Sequence, residues 1–209
     1  MEALLAFAAA LVALRLSGLL TQRWRERQEP QLAAWAVALG AYAAASAALA
    51  WGAASGWNDE VFRVYYLCGG LLTAPLLGVG SLLLAGERWA APVGLLYSGL
   101  AVGVALAVPL TVPVSGDSIP EAQDHLDFVP ARLLAVIGNT VGTIAVVGIA
   151  LLTIRRRPLG NALIVAGVAV AAAGSGLAGL GVAETAAFMA IAAALLYAGF
   201  VRPGSRRVV

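Results

Sequence analysis

The chain has no lysine, one histidine (His125), one cysteine (Cys68) and few charges: 11% of its 209 residues are charged, and all thirteen basic residues are arginine. Each shortage removes a chemistry. Retinal held as a Schiff base needs a lysine within a span. Haem held by paired imidazoles needs two histidines. Thiol redox chemistry and an internal disulfide both need two cysteines. A zinc-dependent hydrolase needs several converging His, Cys or carboxylate ligands. An intramembrane Ser–His protease needs histidine at membrane depth, whereas His125 falls in a polar stretch. An aspartyl protease needs two intramembrane aspartates, and none is expected inside a span. Neither a P-loop nor a dinucleotide fingerprint occurs. No cofactor, metal ligand or catalytic residue is therefore assigned, and the chain is expected to have no enzymatic activity of its own.

What is abundant is apolar. Hydrophobic residues make up 61% of the sequence and mean hydropathy is +0.90, against about 45–50% apolar and about 25% charged in soluble domains. A 21.2 kDa globule cannot bury this surplus. The composition excludes a soluble enzyme, a nucleic-acid binder and a disordered chain, and it implies a polytopic protein whose apolar surface faces a lipid bilayer. The runs are long and Ala/Leu/Gly-rich without alternation, which predicts helices. Seven spans are expected in one all-α domain, at about 3–20, 32–53, 62–85, 90–112, 129–154, 159–180 and 182–201. Glu2 and the position of the basic residues after the first apolar run argue against a cleavable leader.

Arginine placement predicts the orientation. Arg23, Arg25 and Arg27 follow span one, Arg88 follows span three, Arg155–Arg157 follow span five, and Arg202, Arg206 and Arg207 follow span seven. Seven spans put all four groups on one side, which the positive-inside rule makes cytoplasmic. The opposite face carries Asp59, Glu60, Asp117, Glu121, Asp124, Asp127 and Glu184. The N-terminus is thus expected outside, the C-terminus in the cytoplasm, and the protein in the cell's inner membrane.

Small residues recur every four positions in span six (Gly167, Ala171, Ser175, Gly179) and span seven (Ala186, Ala190, Ala194, Ala198), predicting close helix approach. Pro75, with Gly69, Gly70, Gly78 and Gly80, should bend or loosen span three.

Few residues qualify for a binding role. Arg15 lies within span one, either as a ligand or partner contact or snorkelling to the headgroups. Arg132, Asn139 and Thr143 form a polar stripe in span five, either a cavity wall or an interhelical hydrogen-bonding seam. Glu184 and Arg63 sit at span ends where a Glu184–Arg63 or Asp59–Arg132 ion pair could form, or where a polar ligand could bind at the mouth of the bundle. The candidate ligand-binding residues are therefore Arg63, Asn139, Thr143, Glu184 and Arg15. The acidic stretch with Asp117, Glu121, Asp124, His125 and Asp127 lacks EF-hand spacing and reads as a solvated loop. Trp24, Trp51, Trp57, Trp89, Tyr65 and Tyr66 read as an interfacial belt.

The layout, with short basic hairpins at TQRWRERQEPQ, AGERWAAP and TIRRRPLG, Trp35 opening span two, and Pro75 inside an aromatic-headed span three, resembles the seven-helix membrane sensor region at the front of some bacterial histidine kinases and diguanylate cyclases. The resemblance implies a sensor-like or accessory module that binds a lipid or small apolar ligand and reports to a membrane protein partner. No output domain is expected after Val201, so that partner would be a separate chain. A small transporter or channel is the alternative, and a structural subunit of a membrane complex a further one.

Overall fold

A computed structural model describes residues 1–116, 118–178 and 185–201, with only the backbone for residues 175–178. The described residues are helical apart from connections and one isolated bridge between Trp57 and Gly116. The long helices are α1 (Glu2–Arg27), α2 (Pro30–Ser55), α3 (Asp59–Leu84), α4 (Ala90–Ala107), α5 (Phe128–Leu152), α6 (Pro158–Ala178) and α7 (Thr185–Val201). The first five are long and apolar enough to cross a membrane; α7, and α6 over Pro158–Gly174 where its side chains are described, are apolar but shorter.

The first hairpin shows why these residues fold as they do. Ala6, Ala9, Ala13, Leu16 and Leu20 recur at three- and four-residue steps, so one face of α1 is buried. The helix stops at Gln28, which takes a left-handed conformation (φ 55°) and donates its N–H to the Trp24 carbonyl. Pro30, which needs no donor in the first turn, then starts α2. Ser17 Oγ donates to the Ala36 carbonyl at 2.7 Å and fastens the pair. Helix α2 is the most buried of the first five and carries Trp35, Leu39, Tyr42 and Leu49 into the core.

Helices α2, α3, α5, α6, α7 and α1 contact one another in that order and close a ring, while α4 lies outside against α3. The seam between α5 and α6 is the thinnest in the ring. Two close approaches set the other seams. A β-carbon on Gly78 of α3 would lie 2.6 Å from the Gly142 Cα of α5. One on Gly199 of α7 would lie 2.9 Å from the Gly160 carbonyl oxygen of α6. Only glycine allows backbones this near. In the expected small-residue rows, Gly167 does face α7, at Leu196, but Ala194 is exposed and the buried face of α7 runs through Ala186, Ala193, Leu196 and Phe200. Gly179 lies outside the described residues, and so does the side chain of Ser175.

Helix α4 ends at Ala107, five residues before the expected end of span four. Val108 precedes Pro109 and is extended (φ −77°, ψ 121°), as the proline ring disfavours helical geometry at the residue before it. The chain that follows is not a solvated loop throughout. It folds across one end of the bundle: Trp57 donates its N–H to the Gly116 carbonyl at 2.8 Å, Asp59 Oδ1 accepts the Val114 amide at 2.7 Å, and Thr111 donates to the His125 carbonyl at 2.9 Å. Val114 and Leu126 are buried there with Trp57 and Phe62. This is the acidic end. The basic end carries the α1–α2 and α5–α6 connections, where Arg157 Nη2 donates to the Gly199 carbonyl at 3.2 Å. Burial and the nearby Arg23 charge push the Arg157 guanidinium below its usual pKa.

Candidate binding cleft

The site originates in α3. Proline 75 has no N–H to offer the carbonyls four and five residues earlier, Leu71 and Gly70. The segment before it, Tyr66–Thr73, is wound as a π-helix, a form often associated with functional sites. The loosening expected around Pro75 thus takes the form of a widened turn. Three side chains attend to its carbonyls. Asn139 Nδ2 donates to Gly70 at 2.6 Å, Tyr97 Oη to Leu71 at 2.9 Å, and Thr73 Oγ1 to Cys68 at 2.7 Å. Such groups cost several kcal/mol each when left bare in hydrocarbon, so α5 and α4 complete a backbone that α3 cannot satisfy alone.

Beside this widened turn lies a cavity of about 730 Å3, enclosed by α2, α3, α5, α6 and α7. The volume falls within the range of about 300–1,000 Å3 typical of small-molecule sites. Its deep wall is apolar and includes Leu77, Val146, Val168 and Leu196. Polar groups on the wall include Tyr42, Tyr66, Arg132, Asn139, Thr143 and Thr185. Tyr42 Oη is engaged by the Met189 carbonyl at 2.7 Å. Tyr66 Oη and Thr185 Oγ1 are buried and have no hydrogen-bond partner among the described residues.

The candidates from sequence separate on this geometry. Asn139 and Thr143 both line the cavity, and Asn139 also bridges two helices, so its two readings coexist in one side chain. Arg63 is elsewhere. Its Nη1 donates to the Ala105 and Val108 carbonyls at 2.5 and 3.0 Å, where it neutralises the exposed carbonyl end of α4. Arg15 is exposed on α1, 5.9 Å from the centre of the Tyr197 ring, away from the cavity. Glu184 lies outside the described residues. The Asp59–Arg132 ion pair does not form: Asp59 holds the Val114 amide, and Arg132 lies 5.5 Å from the centre of the Phe128 ring.

Sequence reasoning missed the two unpartnered hydroxyls. Tyr66 reads as one member of an aromatic belt, yet it opens the π-helical turn and stacks on Phe62 with ring centres 5.9 Å apart. The nearby Gly69, Gly70 and Pro75 were the available signal that this stretch of backbone departs from an ordinary helix. Among the described residues no cluster of His, Cys, Asp or Glu could hold a metal ion. Comparison with family models, curated proteins and solved structures finds no match to this chain.

Proposed function

We propose that this is a seven-helix module of the inner membrane, with its N-terminus outside and its C-terminus in the cytoplasm, which performs no chemistry of its own. It binds a lipid or small apolar ligand in the cleft and conveys the bound state to a membrane protein partner. The observation that carries the reading is the cavity of about 730 Å3, apolar at depth and polar at Asn139 and Thr143. Arginines 23, 25, 27, 88 and 155–157 support the orientation through the positive-inside rule.

Native mass spectrometry on protein extracted gently from its host membrane tests the proposal. One apolar molecule per chain is expected on the wild type and none on Thr143→Trp, whose indole would occupy the cavity. Wild-type protein that is consistently bare would overturn the reading. The interrupted helix α3 favours a second reading, a small transporter, because transporters place substrate sites at broken helices. Solute flux into proteoliposomes above that of empty vesicles would decide for it.

A further inference from the structure

The polar groups of the cleft are not spread evenly over its wall, and none of them is negative. Arg132 is the one charged residue among the described lining residues. It has no carboxylate partner among the described residues and lies 5.5 Å from the centre of the Phe128 ring. A half-buried cation beside hydrocarbon is stabilised by an anion or by hydrogen-bond acceptors.

Two further donors converge on the same end. Thr185 is 5% exposed, and its hydroxyl and that of Tyr66 are buried with no hydrogen-bond partner among the described residues. Leaving such groups bare is costly, and a bound acceptor removes the cost. Their placement is shared. Ala131 and Ala186, the chain neighbours of Arg132 and Thr185, belong to one buried cluster with Phe62, on which Tyr66 stacks. This is the acidic end of the bundle, beneath the folded connection. Towards the basic end the wall becomes Leu77, Val146 and Leu196, all members of the large leucine-rich core.

The entrance has its own geometry. Val136 and Ile144 of α5 line the cavity and are also 57% and 66% exposed. Ala172 of α6 both lines it and is exposed. At the basic end the two helices are pinned together: Asn161 Nδ2 of α6 donates to the Ala150 carbonyl at 3.0 Å and to Thr153 Oγ1 at 2.8 Å. The seam is therefore closed below and open along the apolar flank of two long helices, a surface suited to hydrocarbon rather than water.

Resting on the binding reading above, we infer that the cleft takes a single-chain amphiphile with an anionic head, which enters sideways from the bilayer between α5 and α6. The head accepts hydrogen bonds from Arg132, Tyr66 and Thr185, and the chain lies along Leu77, Val146, Val168 and Leu196. Carboxylate and phosphate heads share this chemistry.

The test uses the full chain in nanodiscs of uncharged lipid, titrated with palmitate, hexadecyl phosphate and hexadecanol, with binding read by native mass spectrometry. At least one of the two anions is expected to bind about tenfold more tightly than the alcohol; which one identifies the head. Arg132→Gln should abolish that preference by weakening the anion far more than hexadecanol, and Arg132→Lys should retain most of it. Tyr66→Phe and Thr185→Val should each weaken the anion several-fold, so the inference stands or falls even if Arg132→Gln does not fold. Equal binding of all three probes by the wild type, with displacement of each by Thr143→Trp, would overturn the head-group assignment and leave the cleft. Binding of none would overturn both.

Discussion

The side-chain amide of Asn139 donates to the backbone carbonyl of Gly70 at 2.6 Å, linking the middle of α5 to the widened turn of α3. The bond exists because Pro75 withholds a donor, and it ties cavity wall and backbone integrity to one residue.

Asn139→Leu should therefore destabilise the protein by about 0.6–2 kcal/mol, the range for interhelical hydrogen bonds in membranes. Thr143→Val, on the same wall but with no side-chain hydrogen bond among the described residues, should fall well below that. Reversible unfolding in mixed detergent micelles distinguishes them.

Pro75→Ala restores an N–H that can serve Gly70 or Leu71 directly. It should relax the turn towards α-helical winding and make Asn139 redundant. In a double-mutant cycle, Pro75→Ala with Asn139→Leu should then cost less than the sum of the single variants. Strict additivity would show that proline and asparagine act independently.

The α3–α5 seam should tolerate no side chain. Gly78→Ala places a methyl group against Gly142 and should cost about 1–3 kcal/mol from overpacking. Gly148→Ala, on the same helix as Gly142 with nothing within 4 Å of the added carbon, should be neutral or slightly stabilising. Thermal midpoints of the two purified variants provide the comparison.

Arg63→Gln removes a cap on α4 without touching the cleft. A loss of stability of about 0.3–2 kcal/mol is expected, with ligand affinity unchanged. A large loss of affinity would return Arg63 to the binding site.

Orientation is open to direct labelling. In a Cys68→Ala background, Ser115→Cys should react with an impermeant maleimide on intact cells, and Gln28→Cys only after the membrane is opened. The reverse pattern would invert the topology proposed above.

Helical class was legible because composition alone forbids a water-soluble core of this size. Where the reading slipped, one local rule overrode another or a tertiary contact overrode a local rule. Span four was read through Pro109 because its hydropathy continues past the proline, while the backbone obeys the ring at Val108. The acidic connection reads as solvated from its charges, but its apolar residues Val114 and Leu126 pack on Trp57 and Phe62, contacts set by a distant segment. Asn139 and Thr143 were legible as a stripe because their helical spacing puts them on one face. Arg63 was not legible as a cap, since its partners at Ala105 and Val108 lie more than forty residues away and are backbone atoms. The cleft itself was invisible, because no periodicity records that α5 and α6 part company above Asn161.

Helix α1 runs unbroken for 26 residues and carries Arg23, Arg25 and Arg27 on its last turns. At about 1.5 Å per residue it is a stiff rod of about 39 Å, longer than the hydrocarbon layer of about 30 Å. Its buried face rests on α2 and α7, and α7 supplies Thr185, Met189 and Leu196 to the cavity wall. On the binding reading proposed above, a guest that displaced α7 would bear on this rod along its length, and the rod would carry the tilt to the three arginines at its tip.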